Sequence, residues 1–389
     1  MRILTFTSLY PNNKQPRHGV FVRERLRHLR LAYPDIEQII VAPVPWFPLR
    51  HPAFGNYAIM ASVPGAETQD GIEVLHPRYA VIPKVGMSLA PTLMMLSLLP
   101  YLRRLRDSYP FDVIDAHFLY PDGVAAVALG RVLGVPVMVT ARGNDLSLYP
   151  QWLIPRLQLR WCLRHASAIV TVCKALADTA IELLPEATGK IHVLRNGVDL
   201  QRFRPTDRNR ARAELGLDSF TLLSVGHLIE RKGHHLVIEA LRELPDVKLI
   251  IAGDGPWQDR LEALASRLDV SDRVRFLGHV DQDSLPVVYT AADALVLASS
   301  REGWANVLLE SMACGTPVAA TAVWGTPEVV RDSASGVLIK ERSPGGIRDG
   351  IRELQGNYPE RADTRRYAEQ YSWEETSSKQ WQLFKSIIE

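Results

Sequence analysis

Cysteine is scarce in this chain, with three among 389 residues. Cys162, Cys173 and Cys314 stand too far apart for a thiolate metal site or a disulfide framework, so buried thiols in a reducing cytoplasm are expected. No basic segment followed by an apolar run opens the sequence, which argues against a secretory leader. No G-x-G-x-x-G follows a predicted strand, and no G-x-x-x-x-G-K-[ST] occurs anywhere, so hydride transfer and P-loop hydrolysis are poor readings. The stretch "AGDGPWQD" (252–259) approaches the first pattern and lacks its third glycine. Histidines and carboxylates show no ligand spacing, and no metal is expected. A large excess of one charge is also missing, since the net charge is +2. Residues 1–200 nevertheless hold 21 Lys and Arg against 15 Asp and Glu, and residues 201–389 hold 24 against 28. A basic first half suits phospholipid head groups, lipid diphosphates or nucleic acid, and a solvated surface accounts for it about as well.

Uncharged runs are rare too. The exception is "VGMSLAPTLMMLSLLPYL" (85–102), whose 18 residues just reach the length of a membrane-span candidate. Pro91 and Pro100 interrupt it, which favours a helix packed in the first domain, or else an apolar patch meeting a membrane. Lys84 before it, with Arg103, Arg104 and Arg106 after it, would serve such a patch, and "RERLRHLR" (23–30) could join the same surface.

What the chain does have is strand–helix alternation. Short runs without polar alternation recur at 3–8, 38–44, 112–117, 136–141, 168–172 and 191–194, and again at 221–226, 248–253, 274–278, 294–298 and 317–321. Such runs suit parallel strands covered on both faces, and the alternation predicts α/β architecture. The series restarts near "RNGVDLQRFRPTD" (195–207), where Asn196-Gly197 and Pro205 mark a turn and a linker. Two doubly wound domains on either side of about residue 200 are therefore expected, with ligands outside the carboxyl ends of their strands and a cleft between them.

Three clusters fall at such ends. Arg231, Lys232 and Gly233 lie between a predicted strand and helix, where an anion such as a diphosphate would be met. His117 ends one strand of the first half, and Arg142, Asn144 and Asp145 follow the next. Glu302 and Glu310, in "SSREGWANVLLESMACGTPV" (299–318), follow the strand "ALVLA".

The ordered set "NGVDLQRFRP", "GHLIERKG", "AGDGP", "REGWANVLLESMACGTPVAAT" and "GTPEVV" closely resembles the retaining glycosyltransferases of family 4. "TSLYPNNKQPRHGVFVRERL" looks like a bacterial branch of that family that includes teichuronic acid biosynthesis enzymes. The resemblance implies a GT-B fold, two facing Rossmann-like domains with an interdomain cleft. The first would span 1–197 plus a C-terminal crossover helix at about 373–389 and take the acceptor. The second would span 198–372 and take the nucleotide-sugar.

Carried over by position, the resemblance implies that Glu302 and the backbone at Gly303 meet the donor sugar hydroxyls and that Glu310 meets the nucleotide ribose. Asn306 and Val307 would lie beside the diphosphate, which Lys232 binds. His117 would stand near the transferred sugar, and Asp145 on the same wall of the cleft. His227 replaces an arginine common in the family, leaving Arg231 to supply that charge. Arg142 replaces a histidine and would contact an acidic donor sugar or an acceptor phosphate. Gly19 stands where many members have paired glycines in the first loop of the donor site. The implied reaction is metal-independent, uses no cofactor, and proceeds by front-face attack in which a diphosphate oxygen takes the acceptor's proton. The expected protein is a cytoplasmic transferase for envelope or exopolysaccharide precursors, with a glycan or lipid-linked glycan acceptor, peripheral contact with an anionic membrane and no nucleic-acid partner. A nucleotide-sugar epimerase, a sugar phosphorylase and a non-catalytic scaffold are the competing readings.

Overall fold

A computed structural model describes the chain except residues 49, 50, 52, 54 and 83–85, so Lys84 and Val85 lie outside the described residues. Two compact units are present, Met1–Arg195 with Glu374–Glu389, and Asn196–Trp373.

The strands in chain order are β1 Arg2–Phe6, β2 Glu37–Val41, β3 Val44–Pro45, β4 Ala66–Gln69, β5 Ile72–Leu75, β6 Arg78–Tyr79, β7 Val113–His117, β8 Val137–Ala141, β9 Ala168–Thr171 and β10 Ile191–Val193 in the first unit. The second unit holds β11 Phe220–Val225, β12 Val247–Ala252, β13 Val274–Gly278, β14 Ala294–Leu297, β15 Val318–Thr321 and β16 Gly336–Ile339. The first sheet runs β10-β9-β8-β7-β1-β2-β5-β4 and the second β13-β12-β11-β14-β15-β16, while β3 and β6 pair separately. All pairings are parallel except β4 with β5. Every apolar run named above forms a strand.

Each sheet reverses its winding once, between β1 and β7 in the first unit and between β11 and β14 in the second. At such a switch point the connections leave in opposite directions, opening a crevice at the strands' carboxyl ends. His117 closes β7, and the loops carrying Lys232 and Glu302 leave β11 and β14.

The C-terminal helix Trp373–Ile388 completes the first unit's core. Phe384 is fully buried among Ile3, Leu29, Val113 and Met138, and Trp381 stacks on Tyr33 with ring centroids 4.9 Å apart. Burying a phenylalanine of this kind stabilises a fold by about 1.5–3 kcal/mol.

Two expectations about charge and exposure need correction. The basic run 23–30 lies on the helix Val20–Ala32, yet its Arg25 is 1% exposed. Arg25 donates from Nε to Gln380 Oε1 at 2.7 Å and from Nη1 to the Leu194 carbonyl at 3.2 Å, so part of that charge serves the interior. The uncharged run forms the helix Ala90–Ser108, which is only half buried. Pro91, Met94, Leu98 and Leu102 face inward at helical spacing, whereas Leu89 and Leu96 are exposed. Pro91 sits in the first turn, where its missing N–H costs nothing, and the helix continues past Pro100. No helix among the described residues is long and apolar enough to cross a membrane.

Candidate active site

In the second unit Lys232 ends a 3-10 turn, Glu230–Lys232, that follows β11. Gly233 comes next with φ +74°, and a Cβ there would lie 2.0 Å from the Ala298 carbonyl oxygen. Only glycine allows that approach, which presses the loop after β11 against the end of β14. Lys232 Nζ consequently lies 2.6 Å from Glu302 Oε1, to which Ser299 Oγ also donates at 2.7 Å. Arg231 Nη1 stands 3.6 Å from the same oxygen and donates to the Arg301 carbonyl at 2.7 Å. Glu302 is buried, which opposes its charged form. Lys232, Ser299 and Arg231 outweigh that and hold its carboxyl below the usual range.

The helix Asn306–Ala313 begins four residues after Glu302. Its first N–H groups have no partner within the helix, and Asn306 and Val307 carry two of them. The Asn306 side-chain oxygen accepts from Asn196 Nδ2 at 3.2 Å. One turn on, Glu310 accepts a hydrogen bond from Tyr289 Oη at 2.9 Å. Gly303 and Val307 are partly exposed, and His227 is exposed, its Nδ1 2.7 Å from the Asp254 carbonyl. The structure thus brings Arg231, Lys232 and Glu302 into contact and sets Glu310 on the helix that follows, with His227 on a separate loop pairing. His234 escaped notice in the sequence. It is buried, bonds Ser224 Oγ at 2.8 Å, and is pushed down to about 4, mainly by burial and then by Lys232.

In the first unit His117 and Arg142 are brought together, with Arg142 Nη2 2.7 Å from His117 Nδ1. Asp145 is fully buried and takes a different task from the one expected. Its two oxygens accept from the backbone N–H groups of Leu119, Arg142, Gly143 and Leu146, at 2.7 to 3.2 Å. Those bonds engage both carboxylate oxygens and make the side chain a clamp between the loops after β7 and β8, so Asp145 is not placed to ligate a donor. Gly19 likewise has a local reason. Its φ is +72°, and a Cβ would lie 2.1 Å from the Leu9 carbonyl oxygen, so it lets the first loop fold against the start of its helix.

Two family models match consecutive parts of the chain, "Glycosyltransferase Family 4" over residues 20–202 and "Glycosyl transferases group 1" over residues 205–371. The chain belongs to the family 4 glycosyltransferases. Among curated proteins, this glycosyltransferase is 29% identical to the teichuronic acid biosynthesis glycosyltransferase TuaC of Bacillus subtilis, over 90% of its own length and 88% of the relative's. It is 38% identical to the D-inositol 3-phosphate glycosyltransferase of Mycobacterium tuberculosis over 69% of its length, and that alignment spans 60% of the relative. Other D-inositol 3-phosphate glycosyltransferases are covered over 56–60% of their length.

Among solved structures, sucrose-phosphate synthase from Thermosynechococcus elongatus superposes with a TM-score of 0.77 at 19% identity, over 100% of this chain and 98% of that one. HepE of Anabaena, solved with UDP, gives 0.73 at 21% identity, over 99% and 100%. The fold of the family 4 enzyme is accordingly GT-B, an α/β chain of two Rossmann-like domains.

Proposed function

We propose that this glycosyltransferase moves a sugar, with retention and without a metal, from a nucleotide-diphosphate sugar to a glycan or lipid-linked glycan of an envelope or exopolysaccharide pathway. The carrying observation is the contact of Lys232 and Arg231 with Glu302 at the carboxyl ends of β11 and β14. Breaking the bond between an anomeric carbon and a diphosphate leaves charge on the diphosphate. Fixed cations and N–H donors stabilise that charge most where water is scarce. Lys232, Arg231 and the amides at Asn306 and Val307 supply it, doing with side chains what a divalent ion does elsewhere. Glu302 receives sugar hydroxyls and Glu310 the ribose, so one loop and helix grip both ends of the donor. The acceptor is met by the first unit. UDP is the first nucleotide to try, because UDP and UDP-glucose occupy the Anabaena relative.

The test is a thermal-shift series with nucleotides and nucleotide-sugars on the wild type and Glu310→Ala. A ligand at a hundred times its Kd stabilises by about 2.7 kcal/mol. The expected result is a shift with one donor that disappears in the variant. A shift that survives Glu310→Ala removes the ribose role, and an acceptor-independent change of the donor would mark an epimerase instead.

For the acceptor, the reading extends to an anionic bilayer surface. Leu89, Leu96, Trp152, Leu153, Ile154 and Leu157 are all exposed, Leu153 at 72%. They come from the segments around the helices Ala90–Ser108 and Leu153–His165, which border an apolar cavity of about 380 Å³ lined by Pro91, Met95, Val124, Ala128, Leu157 and Trp161. Gln158 binds the segments together, donating to the Ser88 carbonyl at 2.9 Å. Exposed apolar side chains gathered in this way mark an interaction surface, and the exposed Arg103, Arg104 and Arg156 select an anionic one. Arg106 is not part of it, because its guanidinium donates to the Leu133 carbonyl and lies over the Phe111 ring. Each surface arginine contributes about 1 kcal/mol to such binding, so Arg103→Glu with Arg104→Glu should weaken co-sedimentation with phosphatidylglycerol vesicles by at least about thirtyfold. Leu153→Asp should do likewise, and unchanged co-sedimentation of both variants would dismiss the membrane.

A further inference from the structure

The hydrogen-bonding capacities of His117 and Arg142 decide their roles. A guanidinium only donates, so the His117 Nδ1 that lies 2.7 Å from Arg142 Nη2 is the unprotonated, accepting nitrogen. The ring proton is then on Nε2, which donates to Asp115 Oδ2 at 3.0 Å. That carboxylate oxygen also accepts from Gln380 Nε2 at 3.2 Å, and Gln380 Oε1 accepts from Arg25 Nε at 2.7 Å. His117, Asp115 and Gln380 are each 0% exposed. Both ring nitrogens are committed, and neither is offered to a substrate proton. Burial, with Arg142 and Arg25 assisting and Asp115 opposing, pushes the imidazole down to about 4, which favours the neutral ring.

Two members of this network have capacity left over: Asp115, whose Oδ1 meets no donor among the described residues, and Arg142. Its guanidinium lies over the Phe21 ring at 5.2 Å, and its Nε and Nη1 meet no acceptor among the described residues. Donors buried without partners are costly, and a charge-assisted bond to an oxyanion recovers that cost. The position is the carboxyl edge of β8, next to the β1–β7 switch point where ligands of doubly wound sheets are met.

We infer that Arg142 receives an anionic oxygen of the substrate, carboxylate or phosphate, and that His117 is a positioning residue for Arg142 and carries no proton. Gln380, on the C-terminal helix, sets Asp115, Asp115 sets the imidazole tautomer, and the imidazole aims the guanidinium. The glycosyl-transfer reading enters only through the source of the anion, a uronic-acid donor or a phosphate on the acceptor.

The ring state is tested by ¹⁵N-histidine NMR of the whole chain. The charged groups facing the imidazole are Asp115, Arg142 and Arg25. The expected spectrum shows the Nε2–H tautomer unchanged from pH 8 to pH 5.5, and a titration in that range would overturn the inference. The anion is tested by calorimetry with UDP-glucuronate against UDP-glucose, and with inorganic phosphate titrated in the presence and absence of UDP. Arg142→Gln should weaken one arm by roughly 10- to 100-fold, and the arm that weakens names the donor or the acceptor as the source. An effect in neither arm overturns the inference. Should no UDP compound bind the wild type, the donor reading above is what suffers, because the phosphate titration and the NMR still decide this one. His117→Gln keeps one acceptor and one donor and should retain the affinity within about threefold, whereas His117→Ala should match Arg142→Gln. Equal losses in His117→Gln and His117→Ala, with folding verified by thermal midpoint, would argue against positioning.

Discussion

Lys232→Ala is expected to lower kcat/KM for sugar transfer by a factor on the order of 100–1,000, the usual loss when one fixed donor to a developing oxyanion is removed. The geometry adds a second expectation that separates charge from mere packing. Lys232 Nζ is 2.6 Å from Glu302 Oε1, so a diphosphate that reaches Lys232 must share the ammonium with that carboxylate. Glu302→Gln removes that competitor and should tighten binding of the bare nucleoside diphosphate at least about fivefold, on the order of 1 kcal/mol. The same variant should abolish the extra affinity that the sugar contributes and most of the turnover. Lys232→Ala leaves Glu302 with burial opposed only by Ser299 and Arg231, so its carboxyl should rise toward and above the ordinary range. Part of the lost activity should then return as pH is raised and Glu302 ionises again. Titration calorimetry with UDP and initial rates between pH 5 and pH 8 check these outcomes. Weaker UDP binding in Glu302→Gln would show that the carboxylate supports the nucleotide directly.

The strands and both clusters at the sheet ends were legible because they rest on local patterns. A central parallel strand is apolar on both faces, and all eleven such runs announced themselves. The strands that went unseen lack the pattern. β4 is at best half buried along its length, and β16 has four residues of which the first is a glycine. Lys232, Glu302, His117 and Arg142 could be placed at strand ends for the same reason, since each follows a recognisable run. What they touch was not legible. The buried state of Arg25 depends on Gln380, 355 positions away, and a basic run on a helix otherwise reads as a solvated face. The division of labour between His117 and Arg142 depends on which nitrogen faces which donor, a matter of ångströms that spacing does not encode. Asp145 misled the sequence reading in another way. A carboxylate in an Arg-Gly-Asn-Asp turn looks like a ligand group, and the turn itself consumes it.

That consumption makes Asp145→Ala the substitution with the largest expected effect on stability. Four backbone N–H groups, from Leu119, Arg142, Gly143 and Leu146, donate to its two oxygens in a buried setting. Removing the acceptor leaves three of them unanswered, since the Leu146 N–H also donates to the Gly143 carbonyl at 3.1 Å, and each such loss costs about 1–3 kcal/mol before relaxation. Partial rearrangement and entry of water bring the sum down, so a loss of about 3–5 kcal/mol in urea unfolding is expected. Asp145→Asn retains one accepting oxygen and should fall between the two. Asp178→Ala is the control, because it breaks an exposed pair with Lys174 worth at most about 1 kcal/mol. The Leu119 N–H belongs to the loop after β7 and the other three to the loop after β8, so the carboxylate fixes the spacing on which the His117–Arg142 contact depends. Anion affinity in Asp145→Asn should therefore fall together with stability. A variant that keeps its stability and loses only binding would return Asp145 to the role of a direct ligand.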